Sequence, residues 1–395
     1  MFERVVLVVL VVFDGFGIGS YMKNESYNSL AHAIKHYKGV ERPCFTTLNR
    51  LGLKALNNNK DDAQSVASSC YGRTRQQSFF CDSFAAHWEM AGQIINQGVA
   101  FKNGIPDKYL NKIKEKTGLL FVGNEICYEN VSLISPKLIK QHEKVKRPIM
   151  LTIPKCEPIS TIGIVAFEDV IHFEDLKEVG KRIAETLRGE KDIGRVVVKT
   201  LERKNGKIVE GKKRADYCIF SPPEENLLYA LQEVGVKTYA TGKINGLFNG
   251  QGIDEYSSCW DDEVIFEDTI RFFNIMDKGF LWVNFNGLDR PYGHACDVNM
   301  WIKTLEKYDV FLAKIMEKIT EKDILIFTGD HGCDPTGQVG HTKEWNPLFV
   351  YNPKIVSKKL GDHFHCDIGK TVAENFGIDL RCGAKSFLSQ IELVN

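Results

Sequence analysis

Hydrophobic positions fall in short runs, and three of those runs lead within four residues to an acidic residue. Residues 5–13 are apolar throughout and meet Asp14, followed by Gly15, Gly17 and Gly19. Phe280–Phe285, apolar but for Asn284, leads into a polar loop with Asp289 and His294. Ile324–Phe327 leads to Asp330 and His331. Short apolar runs predict strands buried on both faces, the pattern of a parallel sheet. Elsewhere the period becomes helical, and Phe173–Leu187, Leu227–Val234 and Asp297–Ile319 predict helices. Lys237–Ala240 predicts a further strand. Arg195–Leu201 and Lys207–Glu210 flank Asn205-Gly206, a turn signal that predicts a hairpin. Strands alternating with helices predict an α/β fold.

The acidic strand ends carry the candidate chemistry. Open α/β sheets bind ligands beyond the carboxyl ends of their strands. Carboxylate and imidazole together suit Zn, Mn or Fe. Glycines and Pro335 forbid a long regular element after His331, so the chain can fold back and bring His341 to the same place. Asp330 and His331 alone are equally well explained by a helix cap and a packed imidazole. Three acidic strand ends, three histidines and glycine punctuation together point to a two-metal site. Ser83 precedes small residues and a helical segment, which places its hydroxyl at a helix N-terminus, where the backbone dipole favours a developing anion. Metal coordination activates such a hydroxyl. Asp82 and Ser83 are also good N-cap residues, and that reading stays open.

The ordered set Asp14–Gly19, Asn28–His32, Asp82-Ser83 with His87–Glu89, Asp289–His294, Asp330–Thr336 with His341–Glu344, and Asp367–Asn375 resembles the phosphopentomutases. These belong to the alkaline phosphatase superfamily of metalloenzymes, and the similarity runs along nearly the whole chain. The resemblance implies an alkaline-phosphatase-like α/β core, with a central mostly parallel sheet flanked by helices, and a smaller inserted α/β cap. It implies one divalent cation on Asp14, Asp330 and His331 with the Ser83 oxygen beside it. A second would sit on Asp289, His294 and His341. Manganese is the implied metal, with Mg2+ or Zn2+ as alternatives, and a sugar bisphosphate is the implied activator. Ser83 stands at the phospho-acceptor position, a threonine in phosphopentomutases and a serine in other branches of the superfamily. Arg214 and Lys243 match substrate-binding positions, and Lys199 and Glu168 are further candidates.

The chain also departs from the family pattern. Cys81 stands where the family has a lysine, and Ser83–Ala86 replaces a Thr-x-Thr-Gly run. The segment between His331 and His341 is one residue short. Lys199 stands where an arginine is expected, and Ser160–Glu168 matches the substrate-reading stretch poorly. The implied reaction moves a phosphoryl group within a sugar phosphate, of the ribose 1-phosphate/ribose 5-phosphate type or a related sugar. A metal-dependent phosphatase or phosphodiesterase on the same core is the alternative, followed by a catalytically silent homologue.

At 395 residues the chain is long for one domain. Asp14 and Ser83 lie early and the other ligands after residue 280, so residues 1–100 and 220–395 are expected to form one core around a cap at 101–219. Ser221–Pro223 punctuates the return, and Asn57–Asn59 is the longest low-complexity tract. Lys plus Arg and Asp plus Glu are both 51, so no global field draws the protein to nucleic acid or an anionic membrane. A small-molecule sugar phosphate is the expected partner, and the oligomeric state stays open. Eleven cysteines without a CxxC pair read as reduced thiols in the cytoplasm. Cys81, Cys296 and Cys333 read as packing. The run at residues 5–13 is too short to span a membrane, which takes about 20 residues. Glu3 and Arg4 give it almost no positive flank of the kind a signal peptide has.

Overall fold

The computed structural model describes residues 6–57, 67–79, 81–95, 101, 104–123, 131–153, 160–190, 192–219, 225–337 and 340–394. Glu3–Val5, Asn58, Asn59 and Ser221–Pro223 lie outside the described residues. The chain divides into two units. One comprises Met1–Ile94, Pro223–Asn245 and Gly250–Asn395, the other Ile95–Pro222 and Gly246–Asn249. The described strands are β1 (Leu7–Phe13), β2 (Cys70–Arg75), β3 (Ile149–Ile153), β4 (Ser160–Phe167), β5 (Ile193–Lys204) and β6 (Lys207–Cys218). They continue with β7 (Thr238–Thr241), β8 (Glu255–Ser257), β9 (Gly279–Phe285), β10 (Asp323–Gly329), β11 (Asn346–Tyr351) and β12 (Lys359–Phe364).

The first unit is built on an eight-stranded sheet of order β12-β2-β11-β10-β1-β9-β7-β8. Every strand runs the same way except β11, which is antiparallel to both β10 and β2. The apolar runs form the sheet's centre, and every residue of β1, β9 and β10 is buried. Leu7, Val9, Val11 and Phe13 share a core with Trp301, Leu305, Tyr308 and Leu312 of the helix Val298–Met316. Val8, Leu10 and Val12 face the other way and are buried too. Helices cover both faces of such a sheet, which explains runs without polar alternation. Asp297, expected inside the helix, caps it instead by accepting from Met300 N at 3.0 Å.

Register places the chemistry. Phe13 pairs with Gly329 on one side and Phe285 on the other. The three central strands therefore end level. Asp14 and Asp330 emerge side by side, and Asp289 follows β9 by four residues.

The second unit is a four-stranded sheet of order β3-β4-β5-β6. Parallel β4 and β5 are joined by the helix Phe173–Leu187. Ile183 and Leu187 of that helix pack on Ile162, Ile164, Val196 and Val198. The β5–β6 hairpin turns at Asn205 and Gly206, with φ of 51° and 74°. Positive φ at both positions is the type I′ geometry that Asn-Gly favours. Among the described residues, no helix is long and apolar enough to cross a membrane.

Candidate active site

The first cluster forms where β1 and β10 end. Asp14 and Asp330 are 2% and 0% exposed. Asp330 Oδ1 accepts from Gly15 N at 2.9 Å and His331 N at 3.0 Å, which ties the two strand ends together. His331 Nε2 lies 3.6 Å from Asp14 Oδ1 and 3.4 Å from Asp330 Oδ2. Ser83 is the first residue of the helix Ser83–Met90, capped by Asp82, whose carboxylate accepts from Ala85 N at 2.7 Å. The N-cap reading thus holds for Asp82 and leaves the Ser83 hydroxyl free for the cluster. Ser83 Oγ lies 3.2 Å from Asp14 Oδ1, 3.0 Å from His331 Nε2 and 2.6 Å from Lys243 Nζ. Lys243 follows β7 through Gly242 (φ 76°), where a Cβ would meet Asn284 O at 2.3 Å. Its ammonium also bonds Asp14 Oδ2 and stands 3.6 Å from Asp330 Oδ2.

The second cluster centres on Asp289. His294 Nε2 and His341 Nε2 approach the same carboxylate oxygen, Asp289 Oδ1, at 3.3 and 3.4 Å. The ring of His341 stacks on His331, with centroids 3.8 Å apart, and joins the two clusters. Three groups of side chains bring their ligand atoms within 4.8 Å of one another: Asp14–Asp330–His331, Asp289–His331–His341 and Asp289–His294–Cys333. The second and third share Asp289, so His294 and His341 reach it in different company.

Electrostatics agree with a cation-binding role. Burial, then Asp330, pushes the Asp14 carboxyl well above its usual range despite Lys243. Burial would raise Asp330 and Asp289 as well, but their neighbours outweigh it. His331, Lys243 and His87 hold Asp330 far down, and His294 and His341 hold Asp289 well below normal. Burial lowers His331 to about 3, so its imidazole is neutral and has a lone pair to donate. Asp330 Oδ2 and Asp289 Oδ1 are buried with no hydrogen bond. Buried carboxylate oxygens of this kind are paired or coordinate metals. Two oxygens and one nitrogen in the first cluster fit a hard or borderline divalent ion.

A family model described as the Metalloenzyme superfamily matches residues 7–380. The phosphopentomutase of Desulfitobacterium hafniense is 30% identical over 97% of this chain and 99% of its own. That of Caldanaerobacter subterraneus is 31% identical over 100% of this chain and 99% of its own. The chain belongs to the metalloenzyme superfamily and is phosphopentomutase-like. Among solved structures, the phosphoglycerate mutase of Leishmania mexicana aligns over 99% of this chain and 98% of its own at 12% identity, with a TM-score of 0.49.

For a phosphopentomutase-like chain, the positions expected to hold metal converge in one unit: Asp14, Ser83, Asp289, His294, Asp330, His331 and His341, joined by Lys243. Lys199, Arg214 and Glu168 lie in the other unit. There Lys199 pairs across the hairpin with Arg214 and bonds Glu210 at 2.6 Å. Arg214 grips Asp216 through two bonds of 2.7 and 2.8 Å, and Glu168 pairs with Lys213.

Three residues gain roles that their motifs alone do not reveal. His87 Nδ1 reaches Ser83 O at 2.7 Å and its Nε2 reaches Asn284 Oδ1 at 2.9 Å, linking the helix that begins at Ser83 to β9. The spacing of four from Ser83 is the signal that could have shown it. Glu344 accepts from Ser29 N and Oγ, Gly19 N and Thr342 Oγ1 at 2.7–3.1 Å, anchoring the segment that carries His341. Cys333 is buried, as its packing reading expected, and also stands with Asp289 and His294 in a group that could hold a metal.

Proposed function

We propose that this protein is a phosphomutase acting on a sugar phosphate of the ribose 1-phosphate/ribose 5-phosphate type, with Ser83 as phospho-acceptor. The observation that carries the reading is the Ser83 hydroxyl, at a helix N-terminus and within 3.2 Å of Asp14, His331 and Lys243. Asp14, Asp330 and His331 would hold one divalent cation, and Asp289, His294 and His341 a second, with Mn2+ the first choice. Bound there, the cations would supply Lewis acidity and neutralise phosphoryl charge.

The chain's own groups do the rest. The helix dipole favours negative charge on or near Ser83 Oγ. Burial works against the Lys243 ammonium, but Asp14, Asp330 and Asp289 raise its pKa. Lys243 therefore stays protonated and serves as a cationic donor, not as a base. His87 holds the Ser83 carbonyl and keeps the hydroxyl aimed at the cluster. We assign the second unit the role of a cap that shields phosphoserine from water, with Arg214, Lys199 and Glu168 binding substrate. A phosphate is gripped by guanidinium through paired hydrogen bonds. No disulfide joins the described cysteines, which fits residence in the reducing cytoplasm.

Incubating the Mn2+-loaded protein with ribose 1-phosphate and a trace of sugar bisphosphate tests this. Phosphorus NMR should show ribose 5-phosphate and no build-up of inorganic phosphate. Inorganic phosphate without the isomer would establish the phosphatase alternative.

A further inference from the structure

We infer that Cys333 is a ligand of the second cation, and that its sulfur biases this position toward thiophilic metals such as Zn2+ and Cd2+. The inference rests on the metal centre proposed above and names a donor that the centre was not expected to use.

Geometry places the thiol. Cys333 Sγ, an imidazole nitrogen of His294 and a carboxylate oxygen of Asp289 lie within 4.8 Å of one another. Cys333 is fully buried, three residues after Asp330. Its backbone N–H donates to Gly15 O at 3.1 Å. A Cβ on Gly293 would fall 2.6 Å from its Sγ, and one on Gly15 would fall 2.9 Å from its Cβ. Cys333 therefore packs closely between the loop that follows Asp14 and the loop that delivers His294.

A second observation points to a ligand at the same place. Asp289 Oδ1 is buried without a hydrogen bond, on a side chain only 9% exposed, and His294 Nε2 stands 3.3 Å from it. Asp289 thus belongs to two donor sets. With His331 and His341 it offers oxygen and two nitrogens, and with His294 and Cys333 it offers oxygen, nitrogen and sulfur. Soft thiolate donors favour zinc over manganese, which prefers oxygen. On binding, the thiol proton leaves to solvent and the thiolate pair forms the metal–sulfur bond.

The experiment titrates metal-free, reduced, full-length protein with Cd2+. It follows the ultraviolet sulfur-to-cadmium charge-transfer band together with bound cadmium by equilibrium dialysis. The band should saturate with one cadmium per chain, persist in Cys296→Ser and vanish in Cys333→Ser. His294→Ala and Asp289→Asn keep Cys333 and should each weaken it, so the test stands even if Cys333→Ser does not fold. A band of wild-type size in Cys333→Ser, or undiminished in both of the other variants, overturns the inference. Cadmium bound with no sulfur band also overturns it, yet leaves the proposed function intact, because phosphoryl transfer there needs cations and not sulfur. A protein that binds no cation at all removes both.

Discussion

Lys243 shows how much one side chain decides at this site. Its ammonium lies among Asp14, Asp330 and Ser83 and balances carboxylates that burial would otherwise neutralise. Replacing it by Met removes the countercharge from a buried pair, a loss on the order of 3–5 kcal/mol. Metal-free Lys243→Met should therefore melt well below the metal-free wild type, and saturating Mn2+ should recover most of the difference. Turnover should still fall by about 10²–10³, the usual cost of deleting one donor to developing charge. A variant that melts like the wild type without metal would show that Lys243 does not balance these carboxylates. Asp330→Asn replaces a buried carboxylate oxygen, proposed above as a metal ligand, that has no hydrogen bond to lose. It should bind one fewer Mn2+ by elemental analysis while keeping its circular dichroism spectrum.

At the scale of elements, the centre of the fold was legible because its physics is local. Runs such as residues 5–13 and 324–327 name strands buried on both faces, and a carboxylate within three residues of their ends names the sheet end suited to chemistry. The helix Phe173–Leu187 and the Asn205-Gly206 hairpin were legible for the same reason. Antiparallel β11 was not, since direction depends on partners distant in sequence. Nor was the split of His294 and His341 between two donor sets, because it depends on how the Gly293 and Gly340 loops settle around Asp289. The segment bearing His341 is held by Glu344, whose carboxylate takes four donors. Glu344→Ala leaves those donors unmet and frees the segment. Partners that orient metal ligands typically contribute 10–100-fold in affinity. Isothermal titration with Mn2+ should show a loss of about that size for the weaker site, and unchanged affinity at both sites would contradict the anchoring role.

Across the whole molecule, buried imidazoles set part of the pH response. Burial lowers His365 from 6.5 to about 4. Burial, with Lys243, does the same to His87. In that interval the unfolded chain binds the proton and the folded chain does not. Their contributions to stability are complete above pH 6.5 and fade as pH falls toward 4. Burial raises Glu89, Asp262 and Asp309, and these act in the opposite sense. His365→Gln keeps them, so the comparison isolates the histidine. Between about pH 7 and pH 5 the melting temperature of the wild type should drop further than that of His365→Gln. Equal drops would show that His365 does not titrate on unfolding. Convergence of distant segments on one serine oxygen remains the central claim, and intact-protein mass spectrometry tests it most directly. After exposure to a sugar bisphosphate and Mn2+, the wild type should gain one phosphoryl group, mapped to Ser83, and Ser83→Ala should gain none. A phosphoryl group on another residue, or one that persists in Ser83→Ala, would contradict the account.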